Sequence, residues 1–172
     1  MDLITQIKTT AMIRLYTFLK IPLLWWVRPS VLENNEEKTI LKIPLTRKTK
    51  NHLGVMYFGA LAMGAEAAVA LKAIQAIQIS KKKVDYIFKD FKADFLKRAE
   101  GDVHFICDQG PAVQALVQKC IQSGERESQT FQSFAIVPSK DANEKVATFE
   151  VTLSVKMRQA KSQNPSQSKT KS

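Results

Sequence analysis

One carboxylate stands alone in a long apolar segment and is the first residue to consider for chemistry. Glu66 is the only fully charged residue between Lys50 and Lys72. Burial disfavours the charged form of a carboxyl group, raises its pKa and suits it to proton transfer near neutral pH. Glu66 is therefore a candidate general base or nucleophile. The alternative is a structural acid that bonds to the backbone or to an arginine such as Arg98.

The segment that carries Glu66 is predicted to form a long helix. From Tyr57 to Ile77 the chain is dominated by Ala, Leu, Met and Ile, with small or apolar residues on nearly every face. Such a composition is typical of a helix that the core surrounds on all sides. We therefore expect Glu66 to be buried near the middle of the domain.

The remaining segments predict an α+β domain. A second, amphipathic helix is expected at 111–122, followed by Gly124 as its stop signal. Strand-like segments follow one another with short connections that do not fit a parallel βαβ layout. The expected architecture is an antiparallel sheet wrapped around the long helix. The predicted strands are 39–45, 84–96, 103–107, 130–137 and 145–157.

Three regions of the chain differ in composition. Residues 1–30 are predicted to be an N-terminal helical extension, and residues 31–158 the main domain. Residues 159–172 are polar, carry three lysines and no acid, and are predicted to be a disordered basic tail. Much of the positive charge of the chain therefore lies near its two ends.

An apolar stretch at 15–27 raises the question of membrane contact. It contains Lys20 and Pro22 and is only about 13 residues long, whereas a membrane-spanning helix needs about 20 apolar residues. We expect an amphipathic helix that breaks at Pro22 and packs on the domain. Because aromatic and basic residues alternate in the stretch, peripheral contact with a membrane surface stays open as an alternative.

The composition narrows the partners and the compartment. The net charge of +10 favours an anionic partner, but there is no nucleic-acid-binding motif and no basic stripe with interleaved aromatics. Nucleic acid is therefore not an expected partner. Cys107 and Cys120 lie in apolar surroundings and predict two buried, reduced thiols, and two histidines are too few for a metal cluster. These features favour a cytoplasmic protein without a metal.

Three residues precede Glu66 at informative spacings. Starting from Asn51, the chain has Gly54 three residues later, Gly59 at eight and Glu66 at fifteen. This segment resembles the active site of hot-dog thioesterases of the phenylacetate-pathway (PaaI-like) type, which have Asn, Gly, His-Gly-Gly and an acid on the central helix at those intervals. The resemblance covers roughly residues 25–157. It implies a hot-dog fold, in an uncharacterised branch with an N-terminal helical extension.

The resemblance also implies a mechanism for acyl-CoA hydrolysis. Glu66 would act as general base or nucleophile at the thioester, and the backbone N–H groups of Phe58 and Gly59 would hold the oxyanion at the helix N-terminus. Asn51 would orient the water or the thioester. Members of the family act as homodimers, with the acid of one subunit facing the Asn of the other, and often as homotetramers. Coenzyme A would enter only as part of the substrate, with no separate cofactor.

The predicted substrate contacts include positions that differ from the family. Tyr57 stands where the family has His, and Phe58 where it has the first Gly of the pair. Tyr57 and Gly54 would line the substrate, and Lys97 with Arg98 would bind the phosphates of coenzyme A. The alternatives are that Tyr57 is a packing residue and that Lys97 and Arg98 belong to a solvated basic loop.

A second function therefore stays open. A polar position that many members have on the following strand falls at Phe88, so two aromatic residues, Phe58 and Phe88, replace less bulky or polar ones. Such a chain would also fit a non-catalytic hot-dog module that binds an acyl or other lipid-like ligand.

Overall fold

The computed structural model describes residues 2–158, which form one sheet and the helices that pack on it. The elements are α1 (Leu3–Lys20), α2 (Pro22–Trp26), β1 (Ser30–Asn34), β2 (Thr39–Ile43), α3 (Phe58–Ser80), β3 (Val84–Phe95), β4 (Val103–Cys107), α4 (Gly110–Ser123), β5 (Glu127–Val137) and β6 (Asp141–Met157). The predicted basic tail, 159–172, lies outside the described residues.

The six strands form a single antiparallel sheet in the order β1-β2-β4-β5-β6-β3. The long helix α3 packs against β2, β4, β5, β6 and β3, so the sheet curves around it. This is the α+β architecture that the sequence predicts. The two edge strands of the sheet are β1 and β3.

The contact between α3 and the sheet depends on a glycine. Gly64 faces the fully buried ring of Phe105 on β4, and a Cβ atom at Gly64 would lie 2.3 Å from that ring. The ring also lies against Phe149 of β6, with 6.3 Å between the centroids. Gly64 therefore lets α3 approach the centre of the sheet closely, and this approach fixes the height of the helix above the strands.

The side of α3 that the sheet does not cover corrects one expectation from the sequence. The helix is not buried on all sides, because a stripe at four-residue spacing faces away from the sheet. Phe58 and Glu66 on this stripe are exposed, while Ala62 and Ala70 are half-buried. The prediction that Glu66 is buried is therefore wrong for the single chain.

One strand was not predicted, and another begins earlier than predicted. β1 was not predicted, because it is a short edge strand that ends in Glu33 and Asn34, residue types that strands disfavour. The strand predicted at 145–157 begins earlier, at Asp141, because the chain turns just before it, where Lys140 N–H donates to the carbonyl of Val137 at 2.9 Å. This strand, β6, is the longest of the sheet.

The N-terminal helix packs on the domain, and its chain turns at Pro22 as expected. Its contact with β1, however, is made by polar side chains. Thr10 accepts a hydrogen bond from Val31 N–H at 3.0 Å, and Arg14 donates to the carbonyl of Pro29 at 3.0 Å. These bonds occupy backbone groups along the free edge of β1. α1 therefore covers one of the two sheet edges.

We expect Gly64→Ala to destabilise the protein by about 1–3 kcal/mol, because the added methyl group has no space against Phe105. Urea denaturation followed by circular dichroism measures the change. The double variant Gly64→Ala/Phe105→Leu should recover part of the loss, since leucine leaves room for the methyl group. If Gly64→Ala is as stable as the wild type, the close approach of α3 to β4 is incorrect.

Candidate functional site

Glu66 lies at a small apolar cavity between α3 and the N-terminal helices. The cavity has a volume of about 50 Å³, and its lining includes Tyr16 of α1, Leu24 of α2 and Tyr86 of β3. The side chain of Glu66 keeps accessible surface, yet its neighbours are nearly all apolar. Loss of hydration therefore raises the pKa of Glu66 above its ordinary value.

Desolvation also affects the second ionisable group of this cavity. It raises the pKa of Tyr86 to about 12, with smaller contributions from Tyr16 and Glu66. The phenol is therefore neutral at physiological pH and can donate a hydrogen bond. The cavity thus combines one carboxyl group with one neutral hydroxyl in apolar surroundings.

Glu66 has no hydrogen bond or ion pair with any residue in the part of the chain that the structure describes. Arg98, the structural partner considered from the sequence, instead lines a cleft at the N-terminal end of α3. A carboxyl that is desolvated and unpaired contributes nothing to stability. The structure therefore gives no support to a purely structural role for Glu66.

The N-terminus of α3 supplies the expected free donors. Tyr57 is the N-cap, and no side chain caps the helix. The carbonyl of Tyr57 accepts from Ala60 N–H at 2.9 Å and Leu61 N–H at 3.1 Å, whereas Phe58 N–H and Gly59 N–H have no acceptor within residues 2–158. These two N–H groups, at the positive end of a 23-residue helix, suit a developing negative charge.

The ring of Tyr57 lies directly over Gly59, where a Cβ atom would meet its Cε1 at 2.5 Å. The ring also packs on Phe58, with 4.7 Å between centroids. Only glycine at position 59 therefore allows the ring to lie over the helix N-terminus. This contact holds the ring of Tyr57 beside the free N–H groups of Phe58 and Gly59.

Asn51 and Gly54 form the turn that precedes α3. The Oδ1 atom of Asn51 accepts from Leu53 N–H at 2.9 Å, and the carbonyl of Asn51 accepts from Gly54 N–H at 3.1 Å. Gly54 adopts φ = +80°, a conformation that glycine tolerates and other residues rarely adopt. Gly54 thus shapes the turn. The backbone N–H of Asn51 donates to the carbonyl of Val55 at 2.8 Å, while its side-chain Nδ2 donates to no residue between 2 and 158.

Four of the predicted site residues meet in one cleft at the N-terminal end of α3. The cleft has a volume of about 420 Å³, and its lining includes Asn51, Phe58, Lys97 and Arg98. Lys97 forms an ion pair with Glu144, whereas Arg98 is exposed and forms no ion pair with a described residue. Arg98 is therefore the more available of the two predicted phosphate-binding cations.

The single chain does not bring Glu66 and Asn51 into one cavity. Glu66 lies eight residues after Phe58 on α3, a separation of about 12 Å along the helix axis. Glu66 faces the small apolar cavity, and Asn51 faces the cleft at the start of the helix. The predicted site residues therefore form two half-sites along the same exposed stripe of α3.

The edge strand β3 runs from one half-site to the other. Tyr86, near its start, lines the cavity of Glu66, and Phe95, at its end, lines the cleft, with its ring 6.5 Å from that of Phe58. Ile87 and Phe91 on this strand are exposed. A long edge strand with unpaired backbone groups is a surface on which another strand can pair.

Sequence reasoning missed the contribution of the N-terminal helices to the cavity of Glu66. Ile13, Tyr16 and Thr17 of α1 and Leu24 of α2 all line it. The available signal was the apolar stretch at 15–27, but nothing in its pattern says which part of the domain it covers. The contact arises because α1 is held along β1 by its polar side chains.

Comparison with known proteins places the chain in a family and identifies its fold. The sequence profile of the family described as "Domain of unknown function (DUF4442)" matches residues 9–155. No functionally curated protein matches the sequence significantly.

Solved structures cover most of the chain. A protein of unknown function from Chlorobaculum tepidum has a TM-score of 0.75 at 10% identity, covering 89% of this chain and 97% of that one. A thioesterase family protein from Silicibacter pomeroyi has a TM-score of 0.60 at 16% identity, covering 87% and 99%. A thioesterase from Haemophilus influenzae has 0.59 at 13% identity, covering 83% and 88%. The chain has the hot-dog fold of these proteins, which confirms the predicted fold.

We expect Glu66→Gln to raise the melting temperature at neutral pH, because it removes a desolvated charge. A carboxyl whose pKa is raised by folding costs stability above that raised pKa. The cost disappears as the pH falls toward the ordinary glutamate pKa, about 4.3. Thermal melts of both proteins across this range measure the difference. A wild type more stable than Glu66→Gln at neutral pH would show that Glu66 has a stabilising partner.

Proposed function

The chain belongs to the DUF4442 family, and we propose that it hydrolyses acyl thioesters of the acyl-CoA class with Glu66 as the general base. The observation that carries the proposal is the state of Glu66, a carboxyl in apolar surroundings with a raised pKa and no partner among residues 2–158. Perturbed, unpaired acids of this kind concentrate at catalytic sites. The hot-dog thioesterases among the structural neighbours support the same chemistry by analogy of fold.

The two half-sites become one site if the protein is a homodimer that pairs its β3 strands. In an antiparallel pair related by a two-fold axis at Phe91, Tyr86 of one protomer lies opposite Phe95 of its partner, because the bulge between Phe88 and Asp90 makes the two halves of the strand equal in length. Because Tyr86 marks the cavity of Glu66 and Phe95 marks the cleft of Asn51, each Glu66 then approaches the cleft of the other protomer. The exposed apolar side chains of β3 would be buried in the same contact.

The reaction in this composite site follows from the groups that line it. The carboxylate of Glu66 takes a proton from water, and the water oxygen attacks the thioester carbonyl carbon. The N–H groups of Phe58 and Gly59 from the other protomer hold the negative oxygen. When the tetrahedral intermediate collapses, the carbon–sulfur bond breaks and the thiol leaves with the proton from Glu66. The products are a carboxylic acid and a free thiol.

The cleft offers contacts for the remaining parts of the substrate. The side-chain Nδ2 of Asn51 is available to orient the water or the thioester oxygen. Arg98, on the same cleft, would bind a phosphate of coenzyme A, and Lys97 would do so if it leaves Glu144. Phe58, which lines the cleft, would face the acyl group, and the exposed ring of Tyr57, which packs on Phe58, would border it.

The aromatic residues favour one second function, the binding of an acyl ligand without hydrolysis. The ring of Phe58 is 59% exposed at the helix N-terminus, where a ligand can cover it. Phe88 packs on Tyr86 with 6.2 Å between centroids, which adds apolar surface beside the cavity of Glu66. In that function a fatty acid would be carried through purification and detected by native mass spectrometry, with no thiol released.

We expect wild-type protein to release free thiol from at least one member of a panel of short- to long-chain acyl-CoA substrates. Glu66→Gln should lower kcat by about 100-fold or more, because a general base contributes on that scale. Glu125→Gln, which removes an exposed glutamate far along the chain after α4, is the matched control and should retain activity. Equal rates for wild type and Glu66→Gln, or no turnover of any substrate, would exclude the proposed hydrolysis.

A further inference from the structure

The N-terminal helices present a large apolar surface to solvent. Twelve of the twenty exposed large apolar side chains between residues 2 and 158 lie in the short segment from Leu3 to Trp26. Leu15 is 62% exposed and Leu19 is 65% exposed. An apolar patch concentrated in this way is typical of an interaction surface.

The orientation of α1 is fixed by its polar side, so this exposure does not come from a loosely attached helix. Gln6, Thr10 and Arg14 lie on one face and bond to β1 through the carbonyls of Leu32, Val31 and Pro29. Arg14 also donates to the hydroxyl of Ser30 at 2.8 Å, and Thr17 on the same face is buried. The opposite face of the helix is thus held outward. It carries Ile4, Ile7, Ala11, Met12, Leu15, Phe18 and Leu19.

The charges along this face are mostly positive. From Leu3 to Leu32 the chain contains no acid, Lys8, Lys20 and Arg28 are exposed, and Asp2, which caps the start of α1, is the one exposed acid at its end. Lys8 lies within the apolar face itself, where its long aliphatic stem can lie along apolar surface while the ammonium group reaches outward. A surface that is apolar at its centre and has a net positive border is complementary to an anionic lipid bilayer.

Aromatic residues lie at the end of the surface where α1 meets α2. Trp25 packs on Phe18 with 5.2 Å between centroids, and the ammonium group of Lys48 lies 3.9 Å from the ring centroid of Trp26. Tryptophan rings beside cationic groups are typical of the region where a bilayer meets water. α1 is about 27 Å long, and its polar side is attached to β1, so it would lie along the bilayer rather than across it.

We propose that α1 and α2 form a docking surface for anionic membranes, with the outward face of α1 and the two tryptophans in the lipid headgroup region. A second copy of the chain fits this surface less well. In a two-fold contact each patch meets an identical patch, so the cations of residues 3–32 would meet a surface to which the same segment of the copy adds only further cations.

Membrane docking would also bring the candidate site close to apolar substrates, and this consequence rests on the proposed function. The same two helices line the cavity of Glu66, whose volume of about 50 Å³ is too small for a long acyl chain. Contact with the bilayer would bring these helices, and the cavity beneath them, close to apolar substrates dissolved in the lipid. Docking itself does not depend on hydrolysis and is tested separately.

Membrane docking is tested with the full chain and vesicles of phosphatidylcholine mixed with phosphatidylglycerol. The protein contains only two tryptophans, Trp25 and Trp26, so its tryptophan emission reports on this surface alone. We expect co-flotation with the anionic vesicles and a shift of the emission to shorter wavelength. Vesicles of phosphatidylcholine alone should bind more weakly, and added salt should weaken the anionic interaction.

Two double variants separate the contribution of the positive charges from that of the apolar side chains. Lys8→Glu/Lys20→Glu should weaken binding by about tenfold or more, because it reverses two charges near an anionic surface. Leu15→Gln/Leu19→Gln should also weaken binding, with the fold intact because both leucines are exposed. The control Lys82→Glu/Lys140→Glu makes the same change of charge outside α1, α2 and β3 and should bind more tightly than Lys8→Glu/Lys20→Glu.

The proposal is overturned if wild-type protein does not bind anionic vesicles, or if both double variants bind as the wild type does. It is also overturned if Leu15→Gln/Leu19→Gln changes the mass in sedimentation without changing vesicle binding, since the surface would then join two copies. Glu66→Gln should bind vesicles normally. Failure of docking and failure of hydrolysis of soluble acyl-CoA are therefore separate results.

Discussion

The single sheet covers only one side of α3, and the rest of the structure depends on how the other side is covered. Gly64 and Phe105 press one face of the helix onto the strands, which leaves the stripe with Phe58 and Glu66 facing away. α4 packs along one flank of α3, and α1 and α2 close the part around Glu66, where α1 is attached along β1 by polar side chains. The free strand β3 borders the remainder. Desolvation of Glu66, the donors at the start of α3 and the exposed edge all follow from this one-sided packing.

Residue patterns predict most of the fold. The apolar run around Gly64 indicates a central helix, and the alternation from Phe149 to Met157 indicates a strand with one buried face, as β6 has. β1 could not be predicted, because its short segment carries strand-disfavoured residues and gains its place from pairing with β2 and from α1. The orientation of α1 could not be predicted either. Its apolar side normally faces a core, whereas here its threonines and Arg14 bind the edge of the sheet.

The candidate site is predictable in its residues but not in their arrangement. The spacing from Asn51 to Glu66 identifies the turn, the free N–H groups and the acid. The spacing along one chain does not predict that the cleft and the cavity face different parts of the helix surface, about 12 Å apart along its axis. It also does not predict that β3 runs beside both of them. The distance between the half-sites is what makes a second protomer necessary in the proposed mechanism.

The most direct test of this account is complementation between two inactive variants, Glu66→Gln and Asn51→Ala, co-expressed and purified together. If each site combines Glu66 of one protomer with Asn51 of the other, each heterodimer contains one intact site. The mixture should then recover roughly one quarter of the wild-type thioesterase activity, since about half of the dimers are mixed. Activity no greater than that of the separate variants would contradict a shared site and with it the proposed mechanism.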